Sequence, residues 1–166
     1  MIRGFAIVVL LAGMLWGDHA AAAVSVVAAE GLPFEEGLAA FEAGDYSLAA
    51  QKWREAANEG IPQAQYNLGT LYYSGRGVEQ DLQVAATLFE LAGTGGVAEA
   101  QYNLGTMFLS GNGVPRDLVE AFVWLGVAAR SGLKPAVSAL PEVAAAMTPE
   151  ERAQAAERIQ HWKPDK

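Results

Sequence analysis

The chain has no cysteine, which excludes disulfides, thiolate metal sites, a thiol nucleophile and lipid attachment through cysteine. Histidine is nearly absent: His19 and His161 are the only two, and they stand at opposite ends of the sequence. No His/Asp/Ser or Cys/His constellation can be assembled from this inventory, and no metal-ligand spacing occurs. No catalytic residue, cofactor or metal is therefore expected, and the chain reads as a non-enzyme. Positive charge is scarce as well. Eleven Lys and Arg stand against nineteen Asp and Glu, giving a net charge of −8 and a pI near 4.7. Phosphate binding demands the opposite balance, so nucleic acid is not an expected partner. Apolar residues are plentiful, at 52% of 166, with 18% charged, which fits one compact domain.

The first residues differ in composition from the rest. Arg3 supplies a positive start, Phe5 to Trp16 an apolar run, and Ala20-Ala21-Ala22-Ala23 small-residue cleavage sites. Residues 1–23 are expected to be a secretory signal peptide, the apolar run being shorter than the roughly 20 helical residues that span a bilayer. An uncleaved anchor is the alternative. Export to the periplasm of a Gram-negative bacterium, or secretion, is the expected location, with no stable membrane insertion after cleavage. Residues 24–33, rich in Val and Ala without clear periodicity, read as a linker.

What dominates the remainder is repetition. Ala-Gln-Tyr-Asn-Leu-Gly-Thr occurs at 64–70 and returns unchanged at 100–106, a period of 36. Sliding 62–97 onto 98–133 gives 16 identities in 36 positions, where unrelated segments would share on the order of two or three. Beyond the heptapeptide, the matches run from Ser74/Ser110 and Gly75/Gly111 to Ala92/Ala128 and Gly96/Gly132. A degenerate copy precedes them, because Asp45, Ala49, Ala56 and Gly60 fall on Asp81, Ala85, Ala92 and Gly96. Its first half, from Phe34 to Gly44-Asp45-Tyr46, lacks the Gly-x-Gly-Val loop and reads as a plain helix followed by a tight turn.

The punctuation of one unit predicts its structure. Pro62 to Ser74 has helical spacing and ends in Gly75 and Gly77, which can adopt the left-handed geometry that closes a helix. Asp81 then stands where an N-cap belongs, opening a second helix that runs to about Gly93. Small residues occupy positions where two backbones must come close: Gly69 and Gly105 on first helices, Ala85, Ala92, Ala121 and Ala128 on second helices. A hairpin of this size cannot bury its apolar face alone, so neighbouring hairpins stack into an all-α solenoid with one continuous core.

The pattern Ala-x-Tyr-Asn-Leu-Gly-Thr-x-Tyr/Phe-x-Ser-Gly-x-Gly-Val-x-x-Asp-Leu-x-x-Ala, closing on Trp124, Ala128-Ala129 and Gly132, resembles the Sel1-like repeats, relatives of the tetratricopeptide repeats. The resemblance divides the chain into a tetratricopeptide-like degenerate repeat at 34–61, Sel1-like repeats at 62–97 and 98–133, and C-terminal capping helices at 134–166. It implies a helix-hairpin solenoid that binds proteins or peptides on its concave first-helix face. It also implies work as an envelope adaptor, a periplasmic regulator of a sensor kinase or an exopolysaccharide-assembly scaffold. Phe122 and Trp124 match the family's aromatic stretch, whereas the first repeat has Ala86 and Leu88 there and ends in Gly93-Thr94-Gly95-Gly96, which suggests a looser first repeat.

Towards the C-terminus, Thr148-Pro149-Glu150-Glu151 is a capping box with proline at the first helical position. The helix it starts carries Ala155, Ala156, Ile159 and Trp162 along one side and is expected to cover the open end of the stack. Before it, Pro135 to Met147 reads as a further first helix in which Pro141, replacing the packing glycine, should kink or split the helix.

On a helical wheel, Ala64, Leu68, Gly69, Leu71 and Tyr72 form the packed face of the first helix in the first repeat. Gln63, Tyr66, Asn67, Thr70 and Tyr73 fall on the other side, and the second repeat places Glu99, Tyr102, Asn103, Thr106 and Leu109 there. These ten are the candidate protein- or peptide-binding residues, since an aromatic, amphipathic strip suits a helix or extended peptide. Tyr66 and Tyr102 could equally pack between adjacent first helices, and Asn67 and Asn103 could tie neighbouring repeats together. Asp81 and Asp117 read as caps, and Arg116 and Arg130 as solvated charges.

A second reading, from a different class, is a cell-wall ligand binder or β-lactamase-like hydrolase related to penicillin-binding Sel1-like proteins. It rests on Ser131-Gly132-Leu133-Lys134, which fits S-x-x-K. The K-T-G element that the catalytic version needs does not occur, and Ser131 aligns with the inter-repeat turn residue Gly95.

Overall fold

A computed structural model describes residues 32–164, which form eight α-helices and no strand. They are α1 (Pro33–Glu42), α2 (Tyr46–Asn58), α3 (Pro62–Ser74), α4 (Leu82–Thr94), α5 (Ala98–Ser110), α6 (Leu118–Arg130), α7 (Lys134–Ala145) and α8 (Pro149–His161). The expected signal peptide and nearly all of the expected linker lie outside the described residues.

Each hairpin is set by the same local chemistry. The second helices α2, α4 and α6 open on an aspartate whose carboxylate accepts backbone N–H groups of the first turn: Leu48 to Asp45 at 3.0 Å, Gln83 and Val84 to Asp81 at 3.0 Å, Val119 and Glu120 to Asp117 at 2.8 and 3.0 Å. They end in a Schellman turn. The amides of Ile61, Val97 and Leu133 donate back to the carbonyls of Ala56, Ala92 and Ala128 at 3.2, 3.0 and 3.3 Å, across Gly60, Gly96 and Gly132 at positive φ. The apolar residue after that glycine starts the next first helix while its side chain enters the core.

Helices pack against their sequence neighbours, giving first helices α1, α3, α5 and α7 and second helices α2, α4 and α6. Gly69 and Gly105 sit where the two helices of a repeat touch. A Cβ at Gly69 would lie 2.9 Å from the Phe89 ring, and one at Gly105 2.8 Å from Leu125 Cγ. The opening hairpin has the same contact in a shifted register. A Cβ at Gly37 would come within 2.4 Å of the Trp53 ring, and Gly37 precedes Gly69 by 32 rather than 36 residues because the turn at 43–45 replaces the loop at 75–81. The first copy is thus a whole hairpin.

The loops carry a second packing device. A Cβ at Gly77 would collide with the Tyr46 backbone at 2.3 Å, and one at Gly113 with the Leu82 carbonyl at 2.4 Å. Each loop therefore lies on the N-terminus of the preceding repeat's second helix. Arg76 reinforces this, its guanidinium 4.0 Å from the Tyr46 ring centroid and donating to the Tyr46 hydroxyl.

Three expectations need correction. The first repeat is not loose at its end: α4 continues through Thr94, and Gly93 is buried because a Cβ there would press on Trp124 at 3.1 Å and Gln101 at 3.2 Å. Pro141 lies inside α7 without splitting it; Ala136 and Val143, buried on either side of it, hold the helix against α6. The capping helix α8 has its capping box, with Glu151 N–H to Thr148 Oγ1 at 3.2 Å and Thr148 N–H to Glu151 Oε2 at 2.8 Å, but it packs chiefly along α6. There Ala155 is buried, Ile159 lies over Gly126, and Arg158 forks onto Glu120 at 2.7 and 2.9 Å, while Ala156 is exposed. Arg116 and Arg130 are exposed, as expected of solvated charges, and they also donate to the carbonyls of Leu109 and Ile159.

Candidate functional site

The heptapeptide divides its residues between two duties. In α3, Ala64, Gln65, Leu68 and Gly69 are buried, and in α5 their counterparts Ala100, Gln101, Leu104 and Gly105 are buried too. The glutamines were not foreseen. Gln101 donates to the Gly93 carbonyl at 2.8 Å and Gln65 to the Ala57 carbonyl at 3.4 Å, each joining a first helix to the end of the second helix before it. Their invariance between repeats was the available signal, but a wheel drawn on hydrophobicity discards polar residues.

The remaining heptapeptide residues of α3 turn towards a cleft. Tyr66, Asn67 and Thr70 line a mostly apolar cavity of about 250 Å³, completed by Leu38 and Phe41 from α1 and Trp53 from α2. The structure therefore brings three of the ten candidates together and adds three residues that the repeat alignment did not reach. The four-residue register shift of α1 concealed Leu38 and Phe41. Spacing from the packing glycines places Phe34, Leu38 and Phe41 on Tyr66, Thr70 and Tyr73, and these on Tyr102, Thr106 and Leu109.

Tyr66 is half-buried, its ring 6.0 Å from that of Phe89. Burial raises its phenol pKa, the negative charge of Glu99 raises it further, and hydrogen bonds with Thr70 and Asn103 oppose the rise. Tyr66 also packs against the core cluster that includes Phe89, Ala100 and Leu104, besides lining the cleft. The Thr70 hydroxyl donates to the Tyr66 carbonyl at 3.0 Å and that of Thr106 to the Asn103 carbonyl at 2.7 Å. Tyr73 is 42% exposed with its ring 6.3 Å from Phe89, and Gln63 and Glu99 are exposed. Tyr102 and Leu109 pack against the α6 cluster and lie outside the cleft, so Leu109 belongs to the stack more than to an open surface.

Two other depressions offer less. One of about 510 Å³ is lined by Arg54, Tyr72, Val78, Glu79, Gln80 and Asp81, but Arg54 is tied to the Tyr72 hydroxyl at 2.9 Å and Asp81 caps α4. The second, about 280 Å³, contains Ser131 with Val127, Arg130, Trp162, Lys163 and Pro164; Lys134 is not among its lining residues. Ser131 itself is the C-cap of α6. Among the described residues, no group of three His, Asp or Glu side chains is placed to hold a metal, and no helix is long and apolar enough to cross a membrane.

Comparison with known proteins follows the repeat boundaries. A Sel1 repeat profile matches residues 62–97 and again 98–133. No curated protein matches the chain. Among solved structures, it is similar to a Sel1 repeat protein from Oxalobacter formigenes, with 33% identity and a TM-score of 0.62 over 66% of this chain and 86% of that one. It is also similar to c5321, a protective antigen of uropathogenic Escherichia coli strains with an SLR fold, at 28% identity and a TM-score of 0.73 over 78% of this chain. The chain spans only 29% of the length of c5321. Repeat period, hairpin geometry and these likenesses agree: the chain belongs to the Sel1 repeat family.

Proposed function

We propose that this chain is a non-enzymatic interaction module that holds a protein or peptide partner against its first-helix face, the concave face by resemblance to tetratricopeptide solenoids. The observation that carries the reading is the cleft between α1 and α3, where Leu38, Phe41, Trp53 and Tyr66 offer apolar and aromatic area beside the amide of Asn67 and the hydroxyl of Thr70. Such a site holds an apolar side chain while a polar group fixes the peptide backbone beside it. Tyrosine contributes contact area at small entropic cost. The role extends to an exported adaptor or regulator in the bacterial cell envelope, supported by the signal-like composition of residues 1–23.

The test is crosslinking and affinity capture from envelope extract, comparing the wild type with a Tyr66→Glu/Tyr102→Glu double variant whose fold is verified by circular dichroism. A partner held by the wild type and lost by the double variant is the expected result. Identical capture by both would remove the first-helix face as the binding surface.

A further inference from the structure

Resting on that reading, we infer that the partner segment is cationic as well as apolar: a peptide with one aromatic or large aliphatic anchor flanked by Lys or Arg. Three observations support this. First, the charges around the cleft are largely of one sign. Glu35 and Glu42 are exposed on α1 three residues before and four after Leu38, which lines the cleft. Glu99 is exposed on α5, in helical spacing with Tyr102, Asn103 and Thr106, and its charge reaches the Tyr66 hydroxyl. In the next first helix, Glu142 takes the register position of Thr106. The helix between, α3, carries no charged residue.

Second, most positive charges of the described residues are engaged elsewhere, Lys134 at the start of α7 and Lys163 near the C-terminus being the exceptions. Lys52 pairs with Glu36 at 2.5 Å and Arg158 with Glu120 at 2.7 Å, while Arg54, Arg116, Arg130 and Arg152 donate to a tyrosine hydroxyl or to backbone carbonyls. Near the cleft the cation is Arg76, stacked 5.5 Å from the Phe41 ring centroid and donating to the Tyr46 hydroxyl. Four carboxylates against the committed guanidinium of Arg76 and the ammonium of Lys134 at the start of α7 leave the face acidic, in a chain whose net charge is already −8.

Third, the face is graded along the array. Its register positions read Phe34, Leu38, Phe41, then Tyr66, Thr70, Tyr73, then Tyr102, Thr106, Leu109, then Ser138, Glu142, Ala145. Apolar character is greatest at α1 and polarity at α7. The anchor therefore belongs in the α1–α3 cleft, and cations of the same peptide extend past Glu99 towards Glu142. Charge complementarity of this kind sets specificity and association rate more than total affinity.

A phage-displayed random peptide library, selected on the purified chain at physiological salt, tests the inference. The expected consensus is an apolar anchor with flanking Lys or Arg. Its synthetic representative should bind about tenfold more weakly to Glu99→Lys, and its binding to the wild type should weaken as salt is raised. It should lose binding to folded Tyr66→Glu. Selected peptides that are neutral or acidic yet lost by Tyr66→Glu would overturn the cationic inference while leaving the groove in place. Peptides indifferent to Tyr66→Glu, or no enrichment at all, would overturn both.

Discussion

Helices α4 and α6 occupy the same place in successive repeats, yet their outer faces differ. In α4 that face is Thr87, Glu90 and Leu91, all exposed; in α6 the same register holds Val123, Gly126 and Val127, all buried. The cause is α8, which lies along α6: a Cβ at Gly126 would stand 2.3 Å from Ile159 Cδ1. The inner faces change less, since both keep the fully buried alanines Ala85/Ala92 and Ala121/Ala128, although the side chain that meets the first-helix glycine is Phe89 in α4 and Leu125 in α6. A repeat protein thus keeps identity where units meet and departs from it where something outside the array must dock.

Exchanging residues between the two helices breaks this comparison most severely. Gly126→Glu, which installs the α4 residue in α6, places a charge and three heavy side-chain carbons under Ile159. It should cost about 3–5 kcal/mol, read as a fall in urea midpoint. Its mirror image, Glu90→Gly on α4, should cost about 1 kcal/mol, which is helix propensity alone. Equal losses in the two variants would mean that α8 contributes nothing to α6.

A smaller contrast lies in the paired glutamines. Gln101 is fully buried and 2.8 Å from its acceptor, whereas Gln65 is 8% exposed and 3.4 Å from its own. Gly93 permits the closer approach where Ala57 stands in the previous unit. Gln101→Ala should cost about 2 kcal/mol and Gln65→Ala about 1 kcal/mol by chemical denaturation. The reverse order would show that Gly93 loosens the first repeat after all.

The smallest expected effect is titration of Tyr66. Burial, then the charge of Glu99, raises its pKa above the ordinary 10.0, so the folded state keeps the proton longer than the unfolded one. That stability is fully present below the ordinary value and is lost as pH rises through the raised one. Tyr66→Phe should therefore lose less stability than the wild type between about pH 9 and pH 11, in a window set by the tyrosine pKa. No difference between the two would show that the phenol is not held in its neutral form by the fold.

Much of the architecture was legible because it is written twice. Aspartate caps, turn glycines and alanine contacts recur every 36 residues, and each has one local physical meaning. The site was legible in part. Tyr66, Asn67 and Thr70 could be placed on an outer face from α3 alone, but Leu38 and Phe41 were hidden by the shorter turn that shifts α1 by four residues, and Trp53, in register on α2, reaches the cleft only through tertiary packing. Leu109 misled for another reason: a wheel assigns faces around one helix and is blind to α6 packed beside it. The docking of α8 on α6 is a long-range choice, and its trace, Gly126 where α4 has Glu90, acquires meaning only once Ile159 is known to lie above it.

The central division is between heptapeptide residues that hold the stack and those that meet a partner. Its most direct test is to measure melting temperature and peptide affinity side by side on Gln101→Ala and on Tyr66→Glu/Tyr102→Glu. The expected result is that Gln101→Ala melts lower yet binds as the wild type does, while the double tyrosine variant stays folded and binds at least tenfold more weakly. Wild-type affinity in the folded tyrosine variant would contradict the division and leave the first-helix face without its assigned role.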